Sequence, residues 1–180
     1  SERVKLFLGR FLNQYSKGQK HQLFKLDQVN LVPLICYETT FPEFVANSVS
    51  SAIESARGDP RSSNNGTIIV ALSNDGWFGS THQPYQHIMA SVLRAVENRL
   101  PLVHVANNGP SIVVTPHGKV IFTSDFQQAG GYLADVPHSI KAQGSLYSRY
   151  PNLFTNFLYG MLILVTIFSL MKRLIQKIQS

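Results

Sequence analysis

Between Arg149 and Lys172 no residue carries a charge, and residues 153–171 read LFTNFLYGMLILVTIFSLM. No other stretch limits the fold so sharply. A helix of about 20 predominantly apolar residues matches the hydrocarbon thickness of a bilayer, whereas a surface helix of a soluble domain shows a polar face. The run is therefore expected to form one transmembrane helix over residues 152–172. Thr155, Asn156, Thr166 and Ser169 dilute it, but such side chains bond within a helix or to neighbouring helices. Tyr150 and Tyr159 lie toward its early end, where aromatic residues meet the membrane interface. Lys172, Arg173 and Lys177 follow at once. By the positive-inside rule the basic tail 173–180 is expected in the cytoplasm, with residues 1–151 on the other side.

Residues 1–151 suffice for one packed domain and little more. The chain opens on Ser1, and Arg3, Lys5 and Arg10 interrupt its first apolar residues, so no signal-peptide core forms. The start reads as a cut inside a longer protein. The formal net charge is +6, yet Lys and Arg are spread along the chain or gathered beside the apolar run. Without a basic stripe interleaved with aromatics, nucleic-acid binding is set aside. The single cysteine permits no internal disulfide and leaves the redox compartment open. His82, His87, His104 and His117 show neither HExxH nor zinc-finger spacing, so neither a metal nor another cofactor is expected.

Taken in order, residues 4–12 suggest a short amphipathic helix, 13–20 a polar loop, and 21–26 an edge strand. Residues 29–36 form an apolar, β-branched-rich strand in which Pro33 is tolerable near a bulge or an unpaired position. After Pro42, Phe44, Val45, Val49, Ala52, Ile53 and Ala56 fall at helical spacing until Arg57-Gly58-Asp59-Pro60 stops them. Residues 67–72, TIIVAL, suit a strand buried on both faces. Residues 85–100 read as a helix with Ile88, Met89, Val92, Leu93 and Val96 on its apolar face. A strand at 102–106 follows, then a hairpin-like pair at 111–115 and 119–122 around Pro116-His117-Gly118. One further strand is expected within 126–134, and 137–150 reads as irregular. The alternation of strands and helices, with crossovers long enough for parallel pairing, argues an α/β domain.

Cys36 stands where the 29–36 strand gives way to Tyr37-Glu38-Thr39-Thr40. A side chain fixed between a strand and a helix has little freedom to wander, which suits a nucleophile. A helix N-terminus just beyond would favour thiolate over thiol. The alternative is a buried cysteine acting as a small hydrophobe.

Three motifs in this order, ICYE at 35–38, SNDGWFG at 73–79 and RAVENRLPLVHVANNG at 94–109, resemble the nitrilase, or carbon-nitrogen hydrolase, superfamily. Within it the chain is most similar to the bacterial apolipoprotein N-acyltransferases, and the apolar run matches that family's final span. The resemblance implies an αββα sandwich, truncated here on its N-terminal side, and a Glu-Lys-Cys triad with Cys36 as nucleophile. It also implies a phospholipid acyl donor, the N-terminal amine of a lipid-modified cysteine on a lipoprotein as acceptor, and a place in the bacterial inner membrane with the catalytic domain periplasmic. The triad lysine belongs to a stretch resembling K-x-x-L-V-P-F-G-E. Ser1-Glu2-Arg3-Val4 matches the tail of that stretch, which puts Glu2 on its last glutamate and the lysine before residue 1. The 180-residue chain by itself is then expected to be nearly inactive.

Other residues acquire expected roles beside Cys36. Glu38 orients substrate or supports the lysine, or else caps the turn. Tyr37 and its backbone N–H help to hold an oxyanion. Asn74 and Asp75 wall the site or simply make a turn, while Trp77 and Phe78 meet acyl chains or pack locally. Arg94 and Glu97 read as a helix-surface ion pair. Two rival functions stay open: an amidase or nitrilase that releases a small acid and ammonia, and a membrane-anchored remnant without turnover.

Overall fold

The computed structural model describes residues 18, 20–137 and 144–179. Glu2, the helix expected over 4–12 and most of the 13–20 loop lie outside them. Six strands form one sheet whose spatial order follows the sequence: β1 Phe24–Leu26, β2 Val29–Ile35, β3 Gly66–Ser73, β4 Leu102–Ala106, β5 Ile112–Val114 and β6 Val120–Thr123. Helix α1, Pro42–Arg57, connects β2 to its parallel neighbour β3, and α2, Gln83–Asn98, connects β3 to parallel β4. The outer pairs β1–β2, β4–β5 and β5–β6 are antiparallel. Strands β2, β3 and β4 therefore all end at the same rim of the sheet, the usual location for ligands in an open α/β fold. Pro33 sits past the last residue of β2 that pairs with β1, so its missing N–H breaks no ladder on that side.

Alternation along the strands decides which face is covered. Val32 and Leu34, Ile69 and Ala71, Leu102, and Ile112 and Val114 point to one face. There they meet Val45, Val49, Ala52 and Ile53 of α1 and Ala95 of α2 in a single buried cluster. Removing that much apolar surface from water is the main stabilising term. On the opposite face the adjacent residues Ile35, Leu72 and Val105 form an apolar row that is about half exposed. The described residues thus build one αβ half of an αββα arrangement.

Helix α2 takes its expected orientation only in part: Ile88 and Val92 pack against the core, and the rest of the expected apolar face does not. Met89 and Leu93 are 60% and 55% exposed and Val96 also faces outward, whereas His87, Ser91, Arg94 and Asn98 are buried with Pro84 and Ala95. Those four polar residues recur at i, i+4, i+7 and i+11, one face of a helix, and that face lies over the sheet. Hydrogen bonds offset part of their burial: Ser91 reaches His104, and Asn98 donates to the Arg94 carbonyl at 2.9 Å, while among the described residues Arg94 Nε and Nη1 and Asn98 Oδ1 have no partner. The Arg94–Glu97 pair forms at 2.9 Å, but with Arg94 buried it is not the surface pair expected from its spacing.

The strand expected within 126–134 is also absent. Residues 124–137 are irregular, because left-handed Gln127 and the Gly130-Gly131 pair interrupt an extended ladder, and β6 is left as the sheet edge. Tyr132 nevertheless packs on Phe122 with ring centroids 5.3 Å apart. Within the stretch expected to be irregular, Leu146–Arg149 forms a short helix, α3, whose N-cap Ser145 accepts from Ser148 N–H at 2.9 Å. Helix α4, Leu153–Gln179, runs on through Lys172 and Arg173. Its segment Leu153–Gln176 has no buried residue and holds an 18-residue window of mean hydropathy 2.0, so by length and composition it can cross a membrane. Thr166 donates back to the Leu162 carbonyl at 2.8 Å, as expected for a hydroxyl inside such a helix.

Candidate active site

Strand β2 ends at Ile35, and Cys36 opens a 3-10 turn, Cys36–Thr40. The helix beyond the thiol begins at Pro42 as expected, with the 3-10 turn between them. Cys36 has φ 51°, a left-handed conformation that costs a non-glycine residue about 1–2 kcal/mol. Such strain persists only where the surroundings over-determine it. Two contacts fix the turn from within. Glu38 Oε2 accepts from the Ile35 N–H at 2.7 Å, and Thr40 donates to the Tyr37 carbonyl at 2.7 Å. Glu38 is therefore the capping carboxylate of its own turn. Tyr37 is exposed, accepts from Gln83 Nε2 at 2.8 Å, and lies 5.4 Å from the His87 ring.

Contacts from β3 and α2 hold the turn from below. Ser73 Oγ, on the last residue of β3, is 3.6 Å from Cys36 Sγ and 2.5 Å from Asp75 Oδ1. Asp75 is buried; its N–H donates to Asn107 Oδ1 just beyond β4 at 3.2 Å. His87 Nδ1 lies 3.1 Å from Asp75 Oδ1, and its Nε2 lies 2.9 Å from Thr39 Oγ1 and 3.1 Å from the Cys36 carbonyl. Opposite a carboxylate, Nδ1 carries the proton. Behind His87, His104 of β4 stacks edge-on at 4.8 Å and binds Ser91 through Nδ1 at 2.7 Å. Burial, followed by repulsion from His87, pushes the His104 imidazole down from 6.5 to about 4, with Asp75 opposing.

Asp75, His87 and His104 bring potential metal-ligand atoms within 4.8 Å of one another, a grouping that the histidine spacing did not reveal. Both nitrogens of His87 are already engaged, which identifies the cluster as a hydrogen-bond network. Among the described residues, Asp75 Oδ2 and His104 Nε2 are its atoms without a partner.

The remaining candidates divide. Asn74 is exposed and makes an Asx turn, accepting from the Gly76 N–H at 3.1 Å. Trp77 is 79% exposed, which rules out local core packing for it; Phe78 lies between it and Tyr37, with ring centroids at 6.2 and 6.3 Å. A cleft of about 730 Å³ opens on the Glu38 side of the turn, lined by Lys20, Pro33, Ile35, Glu38 and Phe44, and a second of about 450 Å³ adds Phe41. Ser73, His87, Thr39 and Asn107 were not singled out from the sequence as parts of one site. The signal available for His87 was its membership of the polar stripe along α2.

The carbon-nitrogen hydrolase family model matches residues 2–143. Apolipoprotein N-acyltransferase of Rickettsia bellii (strain RML369-C) is 35% identical over 141 residues, covering 77% of this chain and 25% of that protein. The enzyme of the same name from Rhizobium rhizogenes (strain K84 / ATCC BAA-868) is 39% identical over 117 residues, covering 64% and 19%. Among solved structures, Saccharomyces cerevisiae Nit3, a member of branch 10 of the nitrilase superfamily, superposes with a TM-score of 0.46 at 21% identity, over 63% of this chain and 40% of that one. The chain spans a quarter or less of the length of the two N-acyltransferases. With the family match extending over most of its residues, the chain belongs to the carbon-nitrogen hydrolase family.

Proposed function

We propose that the protein containing this chain transfers a fatty acyl group from a phospholipid to the N-terminal amine of a lipid-modified cysteine on a lipoprotein, through a thioester at Cys36. The observation that carries this reading is the placement of Cys36: a left-handed residue at the rim where β2 and β3 end, held by buried partners while its own side chain is only half-covered. Fixing a nucleophile in this way lowers the entropic cost of reaching the transition state. The chemistry proceeds in two steps. The thiolate adds to the acyl ester carbonyl, and the glycerol oxygen leaves as the lysophospholipid alcohol after taking a proton. The amine then adds to the thioester carbonyl, expels the thiolate and loses its own proton, leaving an amide.

Features around the thiol fit lipid substrates. Phe41, Phe44 and Ile35 line the open clefts beside the turn, and Trp77 projects from a glycine-flanked loop as interfacial aromatics do. Helix α4 would keep this rim close to a bilayer, with the domain on the periplasmic side of the inner membrane and the basic end of α4 in the cytoplasm. The general base and the lysine belong to the resemblance; Glu2, the residue matched to that stretch, lies outside the described residues.

The test uses the full-length protein with phospholipid and a peptide whose N-terminal cysteine carries the lipid modification. Amide formation on the peptide should fall by about a thousandfold or more in Cys36→Ser. Ammonia released from small amides, with the peptide left unmodified, would instead favour the amidase reading.

A further inference from the structure

We propose that Ser73 is a two-position hydroxyl donor to the Cys36 sulfur, and that the buried Asp75–His87 pair is what lets it turn. This rests on the reading of Cys36 as the nucleophile and adds to it the residue that accommodates the thiolate. Ser73 has one hydroxyl proton and two acceptors within reach, Asp75 Oδ1 at 2.5 Å and Cys36 Sγ at 3.6 Å. While Cys36 is a thiol, its S–H points to Ser73 Oγ and the hydroxyl proton rests on the carboxylate, so every proton has an acceptor. Once the thiol loses its proton, the sulfur needs a donor. Ser73 then rotates its O–H from the carboxylate to the sulfur.

That rotation would be costly if it stripped a buried carboxylate of its donors. It does not, because His87 Nδ1–H stays on the same oxygen at 3.1 Å and the Asp75 N–H is separately held by Asn107. His87 Nε2 in turn accepts from Thr39 Oγ1 at 2.9 Å. The hydrogen bonds run from the Cys36 sulfur through Ser73, Asp75 and His87 to Thr39, three residues along the same turn. A chain of contacts that returns to the turn it serves ties the position of the sulfur to the strained backbone beneath it.

The ionisable groups around the thiol come from four elements. Tyr37 and Glu38 belong to its own turn, with the Glu38 carboxylate engaged by the Ile35 N–H. Asp75 lies behind Ser73, His87 approaches from α2, and His104 stands beyond His87 on β4. Asp75 is thus the negative charge that Ser73 screens from the sulfur. A hydroxyl that donates to the thiolate lowers the thiol pKa, and an unscreened carboxylate raises it.

The experiment is the pH dependence of iodoacetamide alkylation of the Cys36 peptide, read by mass spectrometry on the full-length membrane protein, with folding checked by thermal melting. In Ser73→Ala the midpoint should rise by about one unit, slowing alkylation roughly tenfold at neutral pH. Ser73→Thr, which keeps a hydroxyl, should restore it, and Asp75→Asn should move the midpoint in the opposite direction. A midpoint unchanged in Ser73→Ala, or equal shifts for Ala and Thr, would overturn the proposal. So would an upward shift in Asp75→Asn, a variant that keeps the idea testable if Ser73→Ala fails to fold. Alkylation needs neither lipid nor acceptor. An active Cys36→Ser enzyme would therefore sink the acyl-transfer reading without touching these midpoints, whereas unmoved midpoints with an inactive Cys36→Ser would sink only the hydroxyl switch.

Discussion

At the scale of single residues, the site is defined by polar atoms packed so closely that even a methyl group is excluded. A Cβ on Gly109 would lie 2.8 Å from Asp75 Oδ2, 3.2 Å from Pro84 Cβ and 3.4 Å from Ala106 Cβ. The carboxylate is held on its other oxygen by Ser73 and His87 and cannot swing aside without breaking one of them. Gly109→Ala should therefore destabilise the fold by about 1–3 kcal/mol, as overpacking does, and alter the alkylation profile of Cys36; denaturant unfolding together with thiol labelling checks both. Part of this cluster was legible in the sequence: Cys36, Tyr37, Glu38 and Asp75 each follow a strand end in a short motif, and the structure sets them around the end of β2. Ser73 opens a quoted motif without being given a role, and His87 lies inside a helix with no distinctive spacing. Their roles arise only when β3 and α2 converge beneath the Cys36 turn. Asn74 illustrates the opposite outcome, a motif residue whose side chain serves its own turn.

At the scale of secondary-structure elements, α2 splits its apolar stripe: Ile88 and Val92 pack against the core, while Met89, Leu93 and Val96 are exposed and a polar stripe is buried beside them. The sequence contains both stripes, one apolar and one of His87, Ser91, Arg94 and Asn98, and burial energetics alone favour the former. The polar stripe is buried as well because the strand beneath it presents His104 and because Thr39 of the Cys36 turn binds His87. Leu93→Gln should accordingly change stability by less than about 0.5 kcal/mol. Ala95→Gln, at a fully buried position, should cost about 2 kcal/mol or more; paired urea melts of the two variants read the difference. The missing strand near Gln127 has a simpler cause, a left-handed residue and two glycines that no alternation pattern outweighs.

The same helix–strand contact gives a pH dependence. His104 has a folded pKa of about 4 against 6.5 when unfolded, so between those values the unfolded chain binds more protons. Its contribution is complete above about pH 6.5 and is lost as pH falls toward 4, for a total of roughly 3 kcal/mol. Stability measured at pH 7 and pH 5 should therefore differ, and the difference should shrink in His104→Asn. An equal loss in both proteins would remove His104 as its source.

For the molecule as a whole, the described residues comprise three parts: a sheet backed by helices on one face, a rim where its parallel strands end and Cys36 sits, and an apolar helix that follows in sequence. The α/β order and the long apolar helix were both readable, from periodicity and from the absence of charge over residues 150–171. What periodicity does not encode is which sheet face is left open, since β2 and β3 are apolar on both. The exposed row of Ile35, Leu72 and Val105 became visible only once pairing and register were known. The central claim is that Cys36 carries a fatty acid in transit. Its most direct test is to incubate the full-length protein with a phospholipid of defined acyl chain, without acceptor, and to weigh the Cys36 peptide. The account predicts a mass increase of one fatty acid minus water, which hydroxylamine removes and which disappears on adding the acceptor amine. An unmodified Cys36 peptide from enzyme that still acylates its acceptor would contradict it.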